Sequence, residues 1–407
     1  MIDFELQAEI RNARDMIHMV AEGAMRPISR EYDEREHEKP WDFLNMMWQA
    51  SQSNNPVTFG EGRRKGSDAP SHRNLQSAVT IEELSWGDAG LYLSIPNPGL
   101  GGAAVAAAGT DEQKKRFLAR FRGGDPKWGA MAITEPSCGS DSAAITTTAV
   151  RDGDQWVLNG TKIFVTSGRM AAKESDGFVV VWATLDKSAG RGGIKAFVVE
   201  RGTPGMTVER CEDKLGIRAS DTAVIIFEDC RIPLDNILGS AEVKQGTEGF
   251  KGVMATFDAT RPAVAASAIG IGRAAVDFVR EELAKQGVKI RYGIAPGKLT
   301  ALERDFMDME ANLQAARLLT WRASWMMDQG LHNNLEASMA KAKAGLAVTQ
   351  VTQKAVELLG PLGYSRTLLL EKWMRDAKIN DIFEGTQQIN LMIIARRILG
   401  YSSKELN

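Results

Sequence analysis

The sequence predicts an α+β protein of several domains, arranged along the chain as helical, then β, then helical. Residues 1–126 are rich in helix formers, residues 127–238 alternate short apolar runs with turn dipeptides, and residues 239–407 return to helical spacing. The chain has 407 residues, of which 43% are hydrophobic, so it can bury a large core and divide into two or three domains.

The amino-terminal segment is predicted to be mainly helical. Helix formers dominate ELQAEIRNARDMIHMVAEGAM, and Thr110, just before DEQKKRFLARF, has the residue type and position of a helix N-cap. One stretch differs, because from Ser51 to Asn74 the chain is polar and rich in Gly, Pro and Asn. This composition predicts a long loop or partial disorder, and loops of this length are usually functional or mobile.

The middle segment is predicted to form a β domain. It contains short apolar runs such as WGAMAIT, FVVVWATL, IKAFVVE and AVIIFED. Turn dipeptides separate these runs at Asp152-Gly153, Asn159-Gly160, Gly192-Gly193 and Pro204-Gly205. Such spacing is typical of antiparallel hairpins in a sandwich or a barrel.

The carboxy-terminal segment is predicted to consist of packed helices. Apolar residues recur there at intervals of four and three, at Leu302, Phe306, Met309, Leu313 and Ala316. Residues at these intervals share one face of a helix, so this face is expected to be the buried seam of a helix in a bundle.

The charge and the first residues exclude several classes of function. Fifty basic and fifty-two acidic residues give a formal net charge of -2, so the composition does not favour binding to nucleic acid or to an anionic membrane. The sequence MIDFELQAEIRNARDMIHMV carries acids early and has no unbroken apolar stretch, which indicates neither a signal peptide nor a membrane span. We therefore expect a cytoplasmic protein.

Metal and nucleotide motifs give no support to a metalloenzyme or to a dinucleotide fold. No CxxC pair occurs, and the histidines lie without ligand spacing; the residues concerned are Cys138, Cys211, Cys230, His18, His37, His72 and His332. Neither a GxGxxG fingerprint nor a GxxxxGK[ST] loop occurs. Any cofactor must therefore be held in another way.

Five longer motifs together carry a resemblance to the acyl-CoA dehydrogenase family. They are MAITEPSCGSD (131–141), KIFVTSG (162–168), LGIRASDTAVIIFEDCRIP (215–233), GFKGVMATFDATRPAVAA (249–266) and EKWMRDAKINDIFEGTQQI (371–389). The resemblance runs from about Glu82 to Gly400. It implies an amino-terminal helical domain (1–126), a middle antiparallel β domain (127–238), a carboxy-terminal four-helix bundle (239–407), an FAD cofactor and an acyl-CoA substrate.

Glu384, in FEGTQQIN, is the residue that the resemblance assigns as the catalytic base. From the local sequence alone a structural role is the commoner explanation, because Thr386 has the position of a helix cap and an acid is favoured near a helix start. In the catalytic role, Ile382 and Phe383 are expected to desolvate the carboxyl and raise its pKa. Gly385 would let the backbone approach the substrate and polarise the thioester oxygen.

The resemblance also assigns residues to the two ligands. For the flavin it implies Met131, Thr134, Ser140, Phe164, Thr166, Thr386 and Gln388, and for the acyl-CoA it implies Ser140, Asp258, Arg261, Phe383 and Gly385. Phe164 stands where the family commonly has Trp, so stacking on the flavin is expected over a smaller area. For Arg261 a buried structural salt bridge remains an alternative, and Cys138 is interpreted as a packing residue.

Some positions depart from the family pattern where a neighbouring subunit serves the FAD diphosphate. Lys289 and Tyr292 lie in KIRYG, with Lys289 where the family has Arg, while Glu357 replaces Gln and Pro361 replaces Gly. A carboxylate repels a diphosphate and a proline lacks the amide donor, although Arg291 is available to compensate. We therefore expect either a homo-oligomer, dimer or tetramer, with loose FAD, or a heteromer with a related subunit.

The reaction that the resemblance implies is α,β-dehydrogenation of an acyl-CoA to the trans-2-enoyl-CoA, with electrons passed to an electron-transfer flavoprotein. Two alternatives remain open: a flavin oxidase or monooxygenase of the same fold, and a structural subunit of a heteromeric dehydrogenase. The segment GLYLSIPNPG (90–99) matches the family helix that closes the acyl tunnel, and Tyr92 with Pro96 and Pro98 is expected to add bulk there and bend that helix early. Long straight acyl chains should therefore fit poorly.

Overall fold

The amino-terminal part of the molecule is a helical layer. The computed structural model describes residues 5–53, 72–243, 251–401 and 405. The helices of this layer are α1 Ala8–Val20, α2 Arg26–Glu34, α3 Trp41–Ser53, α4 Arg73–Ser94, α5 Gly99–Ala108 and α6 Asp111–Leu118. Thr110 caps α6, since its hydroxyl accepts from the amide of Gln113, whose side chain in turn accepts from the Thr110 amide, so the expected helix start is confirmed.

The segment between α3 and α4 is shorter at both ends than the loop predicted from Ser51 to Asn74. Helix α3 extends to Ser53, and α4 already begins at Arg73. The Asp328 carboxylate accepts from the backbone and the side-chain amide of Asn74, which anchors the start of α4 to the carboxy-terminal domain. Residues 54–71 lie outside the described part of the chain.

The middle of the chain forms one seven-stranded sheet within the described residues. Its strands are β1 Gly129–Ala132, β2 Thr148–Asp152, β3 Gln155–Thr166, β4 Phe178–Thr184, β5 Ile194–Glu200, β6 Met206–Cys211 and β7 Thr222–Pro233. The order is β1-β4-β2-β3-β7-β6, and β5 pairs with β4. The predicted β domain is confirmed, but its pairing is not purely antiparallel, because β1 runs parallel to β4.

The four turn dipeptides have different outcomes. Asp152-Gly153 joins the antiparallel pair β2 and β3, and Gly192-Gly193 precedes β5, which pairs antiparallel with β4, as predicted. Asn159-Gly160 is not a turn, because it lies inside β3 at a shift of the strand register. A Cβ on Gly160 would meet the Thr147 hydroxyl at 2.4 Å, so this glycine permits close approach of another segment.

Pro204-Gly205 was the fourth expected hairpin turn. It does separate β5 from β6, but β6 pairs with β7 and not with β5. The dipeptide therefore marks a change of neighbour in the sheet. A local turn signal cannot distinguish these two cases, because it does not contain the identity of the strand partner.

The carboxy-terminal part is a helical bundle. Its helices are α7 Lys251–Lys285, α8 Ala301–Asp328, α9 Asn334–Leu359, α10 Pro361–Tyr364, α11 Leu370–Ala377 and α12 Gln387–Leu399. The expected seam of α8 is confirmed, because Phe306, Met309, Leu313 and Ala316 are buried in the core shared with α7 and α9.

Helix α7 passes through the middle of this bundle. Among the described residues, its stretch Thr256–Lys285 is the one helix long and apolar enough to cross a bilayer. The protein itself buries 78% of its most apolar window. The apolar composition is therefore explained by packing in the bundle core.

A buried ion pair holds the segment after β1 against strand β3. Lys162 on β3 is fully buried, and its Nζ donates to Glu135 Oε1 at 2.8 Å. The same carboxylate accepts hydrogen bonds from the amide and hydroxyl groups of Thr146 and Thr147. These contacts hold the pKa of Glu135 down at about 2 although burial acts in the opposite direction.

We expect Lys162→Met to destabilise the protein by about 3–5 kcal/mol, because it leaves the Glu135 carboxylate buried without its cation. The measurement is the free energy of unfolding in urea at pH 7. Glu135→Gln/Lys162→Met should recover part of the loss, and Lys187→Met, at an exposed lysine, serves as the control. The stabilisation by ionised Glu135 should be complete above pH 4.5 and disappear as the pH falls towards about 2. An unfolding free energy of Lys162→Met equal to that of the wild type would contradict this account.

Candidate active site

A cavity of about 2370 Å³ opens where the helical layer, the sheet and the bundle meet. Helices α4 and α7 form one side, strands β1 and β3 with the segment 133–142 form another, and residues 382–386 close it from the carboxy-terminal domain. Its size exceeds that of a typical small-molecule pocket, so it has room for more than one ligand.

Most of the site residues expected from the sequence meet in this cavity. Those that line it are Met131, Thr134, Ser140, Phe164, Thr166, Asp258, Arg261, Phe383, Glu384, Gly385 and Thr386. Three expected residues do not line it, namely Lys289, Tyr292 and Gln388. The residues assigned to a subunit's own flavin ring and chemistry are therefore brought together with the exception of Gln388, whereas Lys289 and Tyr292, assigned to a neighbour's FAD, lie elsewhere.

Glu384 occupies a tight turn directly before α12. Its φ is +51°, a left-handed conformation that is unfavourable for a residue with a side chain, and Gly385 follows with φ +96°. Thr386 then caps α12, since its hydroxyl accepts from the amide of Ile389 at 3.3 Å. The expected cap is confirmed, and it fixes the helix start immediately behind the carboxylate.

The carbonyl of Gly385 is held from two sides. Lys341 Nζ, on α9, donates to it at 2.6 Å, and Asn390 Nδ2, on α12, donates to it at 2.9 Å. Lys341 is fully buried. Lys341 was not among the site residues predicted from the sequence. The pattern that indicates its burial is its position within SMAKAKAG of α9, a run of mostly small and apolar residues.

Burial raises the pKa of the Glu384 carboxyl above its ordinary value, and the Thr260 hydroxyl, Lys341 and Arg261 act in the opposite direction. Its Oε2 is buried and has no hydrogen-bond partner among the described residues. The predicted rise of the pKa thus agrees with the geometry. Ile382 is 49% exposed and lines the same cavity as Glu384, and the shielding of the carboxyl by Ile382 and Phe383 stays a prediction.

Tyr92 approaches the same carboxyl from α4. It lines the cavity, and burial together with the charge of Glu384 raises the pKa of its phenol. Helix α4 ends at Ser94, two residues before Pro96, so the chain leaves the helix just ahead of the prolines that were expected to bend it. Tyr92 therefore places an aromatic ring in the cavity close to the Glu384 carboxyl.

Arg261 and Asp258 form an ion pair one helical turn apart on α7. The guanidinium is buried and donates from Nη1 to Asp258 Oδ1, which also accepts from Asn334 Nδ2 at 2.7 Å. The buried salt bridge that we kept as an alternative for Arg261 is therefore present. Arg261 Nε has no partner among the described residues, so one donor of the group remains available towards the cavity that it lines.

The sheet side of the cavity offers a ring and hydroxyl groups. Phe164 is 61% exposed and has a φ of +57°, so the backbone holds this aromatic side chain out of the core. Thr134 and Thr166 line the cavity near it. Cys138 is buried, and burial raises the pKa of its thiol, which agrees with a packing residue and not with a nucleophile.

The residues expected to serve a neighbour's cofactor lie on an exposed surface. Lys289 and Tyr292 are exposed, and the Tyr292 hydroxyl donates to Glu310 at 2.7 Å. Arg291, which we considered as a compensating cation, forms a two-pronged ion pair with Glu303. On α9, Glu357 is paired with Lys354 at 2.6 Å.

Glu36 and His37 form one cluster of ionisable groups with Asp213, which lies far from them in the sequence. The fold brings His37 Nε2 to 2.9 Å from Asp213 and places Glu36 close by, in an arrangement that can resemble a metal site. Glu36, however, already forms ion pairs with Lys214 and Arg218. These ion pairs account for the cluster without a metal ion.

The family follows from comparison with known proteins. Models for acyl-CoA dehydrogenase domains match the chain three times, with the N-terminal domain at residues 7–125, the middle domain at 130–230 and the C-terminal domain at 247–399. The chain belongs to the acyl-CoA dehydrogenase family. The resemblance found in the motifs and the three-domain fold are thereby confirmed.

Individual relatives of this acyl-CoA dehydrogenase cover it almost completely. The short-chain specific acyl-CoA dehydrogenase of Clostridium acetobutylicum is 36% identical over 399 residues, which span 98% of this chain and 100% of that protein. Butyryl-CoA dehydrogenase from Megasphaera elsdenii has a TM-score of 0.83 at 32% identity and covers 98% of this chain and 100% of its own. A chain in the structure of the electron transferring flavoprotein of Acidaminococcus fermentans has a TM-score of 0.83 at 35% identity, with coverage of 98% and 100%.

Membership in the family confirms the predicted class of activity. The protein is an oxidoreductase that dehydrogenates acyl-CoA thioesters, and the family is one of flavoproteins.

Proposed function

We propose that this acyl-CoA dehydrogenase oxidises short-chain acyl-CoA thioesters to trans-2-enoyl-CoA, with FAD as its cofactor, Glu384 as its base and an electron-transfer flavoprotein as its electron acceptor. The observation that carries the proposal is Glu384, which lines the cavity and whose buried Oε2 lacks a hydrogen-bond partner in the described structure. A base with a raised pKa and an unoccupied acceptor oxygen is suited to remove a proton from carbon.

The FAD ring fits the sheet side of the cavity. The exposed Phe164 ring offers a stacking surface, and the hydroxyl groups of Thr134, Thr166 and Thr386 offer hydrogen bonds. Met131 and Ser140 complete this wall, with Ser140 at the junction of flavin and acyl-CoA. When bound, FAD supplies the acceptor for the hydride that leaves the β carbon of the substrate.

In the reaction, Glu384 takes the proton from the α carbon of the thioester on its free Oε2. The turn formed by Glu384 and Gly385 fixes the direction of the carboxylate, because Lys341 and Asn390 hold the Gly385 carbonyl. Negative charge develops on the thioester oxygen at the same time, and a backbone N–H of this turn stabilises it. The walls of the cavity exclude water and keep the carboxylate reactive.

The preference for short acyl groups rests on two supports. The relative from Clostridium acetobutylicum is short-chain specific, and the relative from Megasphaera elsdenii is a butyryl-CoA dehydrogenase. In this chain, the Tyr92 ring and the end of α4 at Ser94 take up space in the cavity beside Glu384. A longer chain would have to displace that ring.

The electron acceptor is proposed from the close likeness to a chain in a structure of an electron transferring flavoprotein. An oxidase or monooxygenase of the same fold would instead consume oxygen during turnover. If the rate of oxygen uptake equals the rate of substrate oxidation, the electron acceptor is oxygen and not an electron-transfer flavoprotein. A purified chain without flavin absorbance would favour the structural subunit.

We expect Glu384→Gln to bind acyl-CoA but to lose flavin bleaching by a factor of about 10²–10⁴, because the amide keeps the shape of the carboxylate but accepts no proton. The measurement is anaerobic flavin absorbance after mixing with butyryl-CoA, with ligand binding followed separately. Glu228→Gln is the matched control, since this exposed glutamate of β7 lies outside the cavity. Bleaching within a few fold of the wild type would exclude Glu384 as the base.

We expect Tyr92→Ala to raise the ratio of kcat/KM for a sixteen-carbon over a four-carbon acyl-CoA by about tenfold or more, because each newly buried methylene contributes about 0.8 kcal/mol. Tyr92→Phe keeps the ring and should keep the wild-type ratio. The measurement is turnover with a series of straight-chain acyl-CoAs. Efficient turnover of the sixteen-carbon substrate by the wild type would refute the role given to this ring.

We also propose that the protein is an oligomer whose FAD diphosphate lies near Lys289 and Glu357 of a neighbouring copy or related subunit. Four exposed apolar residues follow one another along α12, at Leu391, Met392, Ile398 and Leu399, and such a surface is typical of an interface. Arg291 is engaged by Glu303, so it is poorly available to compensate for the missing Arg and Gln. The cofactor of a pure homo-oligomer should then be held loosely.

We expect Lys289→Arg/Glu357→Gln to tighten FAD binding by about tenfold or more, because it adds a two-pronged donor and removes a repulsive charge. The measurement is flavin per subunit after dialysis of the chain purified alone, followed by titration with FAD. Lys187→Arg, at an exposed lysine of the β domain, is the control. One tightly held FAD in every subunit of the wild-type homo-oligomer would show that these departures are harmless.

A further inference from the structure

Lys341 is a buried cation beside the reaction site that the proposed reaction does not use directly. It lies on α9 and is fully buried, and its Nζ donates to the carbonyl of Gly385 at 2.6 Å. Burial lowers the pKa of this ammonium to about 8, although the charges of Glu384 and Asp381 act in the opposite direction. A lysine is rarely buried in this way unless its charge is matched.

The bond to Gly385 acts on the strained turn that carries the base. Glu384 has a φ of +51°, a conformation that persists only where its surroundings impose it. Lys341 and Asn390 both donate to the carbonyl that immediately follows this residue. The direction of the Glu384 side chain therefore depends on contacts with the next residue.

Helix α9 supports the same segment at a second point. Gly345 lies one helical turn after Lys341, and a Cβ there would meet the Asn380 carbonyl at 2.7 Å. This glycine lets the chain just before the base pack directly on α9. Lys341 and Gly345, four residues apart, therefore share the face on which the segment 380–385 rests.

The charges around Glu384 come from each element packed against it. Tyr92 faces it from α4, Arg261 with the Thr260 hydroxyl from α7, and Lys341 from α9. On its own segment, Asp381 faces Lys341. Of these two cations, Arg261 forms a salt bridge with Asp258. Lys341 donates to the Gly385 carbonyl and has no salt-bridge partner among the described residues.

We propose that Lys341 is a positioning residue, which holds the turn of Glu384 and Gly385 in place and keeps a positive charge beside the base, so that Glu384 stays ionised inside the cavity. This inference rests on the proposed role of Glu384 as the base. Lys341 acts through Glu384 and Gly385 and transfers no proton itself. A neutral side chain of similar length should leave the cavity intact but make the ionised carboxylate less favourable.

The test is the pH dependence of flavin reduction in Lys341→Met. A unit charge about 4 Å away contributes about three pH units at an effective dielectric constant of about 20, and this contribution falls in inverse proportion to the distance. The acid limb of the kcat profile should therefore move upward by about one pH unit or more, with kcat reduced by about tenfold near neutral pH and KM little changed. Lys343→Met is the matched control, because this half-buried lysine on the same helix donates to Asn312 and not to the turn.

Two further variants keep the test decisive if Lys341→Met folds poorly. Lys341→Gln is also neutral and should shift the acid limb upward, whereas Lys341→Arg keeps the charge and should restore the limb towards the wild-type position. A readout without turnover is the infrared band of protonated Glu384 in the resting holoenzyme, identified by its loss in Glu384→Gln. This band should persist to higher pH in the neutral variants.

The outcomes separate this inference from the proposed function. If Glu384→Gln is inactive but both neutral Lys341 variants have the wild-type acid limb and infrared band, the role of Lys341 is overturned and the base assignment stands. If Glu384→Gln still reduces its flavin, the proposed function fails first. A shift of the limb in the neutral variants, absent in Lys341→Arg and Lys343→Met, supports the inference.

Discussion

The proposed active site of this acyl-CoA dehydrogenase depends on the burial of one carboxylate. In its proposed role as base, Glu384 must be desolvated to raise its pKa, but a buried carboxylate without compensating charge would be protonated and could accept no proton. The molecule meets both conditions with two buried cations, Lys341 and Arg261, whose hydrogen bonds go to other acceptors. They supply charge beside Glu384 and leave its Oε2 oxygen without a hydrogen-bond partner among the described residues.

This constraint explains why the site is built from all three parts of the chain. Helices α7 and α9 deliver the cations, α4 brings the Tyr92 ring, and the sheet supplies the wall opposite the base. That wall depends on Glu135, which ties the segment after β1 to Lys162 on β3 and so fixes Thr134 relative to Phe164. The sheet wall of the cavity is thus supported by a buried ionic contact.

The helices and the family could be predicted from the sequence, because each has a local or motif signal, and the same motif signal leads to Glu384 as the proposed base. The parallel pairing of β1 with β4 could not be predicted, since nothing in the strands' own turn signals encodes a partner more than forty residues away. Gly160 resembled a turn residue although it serves close packing against Thr147. Lys341 was missed for a similar reason: a lysine on a helix normally indicates a solvated face, and only the tertiary structure buries it against Gly385.

Two buried glutamates show how the same side chain is given opposite properties. Glu135 accepts from Thr146, Thr147 and Lys162, and its pKa falls to about 2, so it remains a fixed negative charge. Glu384 also lies near a buried lysine, but Lys341 donates to the backbone carbonyl of Gly385, and burial raises the pKa of the acid. Direct bonds to a carboxylate stabilise its ionised form and make it a poor proton acceptor. Hydrogen bonds therefore satisfy both oxygens of Glu135, which holds the sheet. In contrast, Oε2 of Glu384, the proposed base, has no hydrogen-bond partner among the described residues.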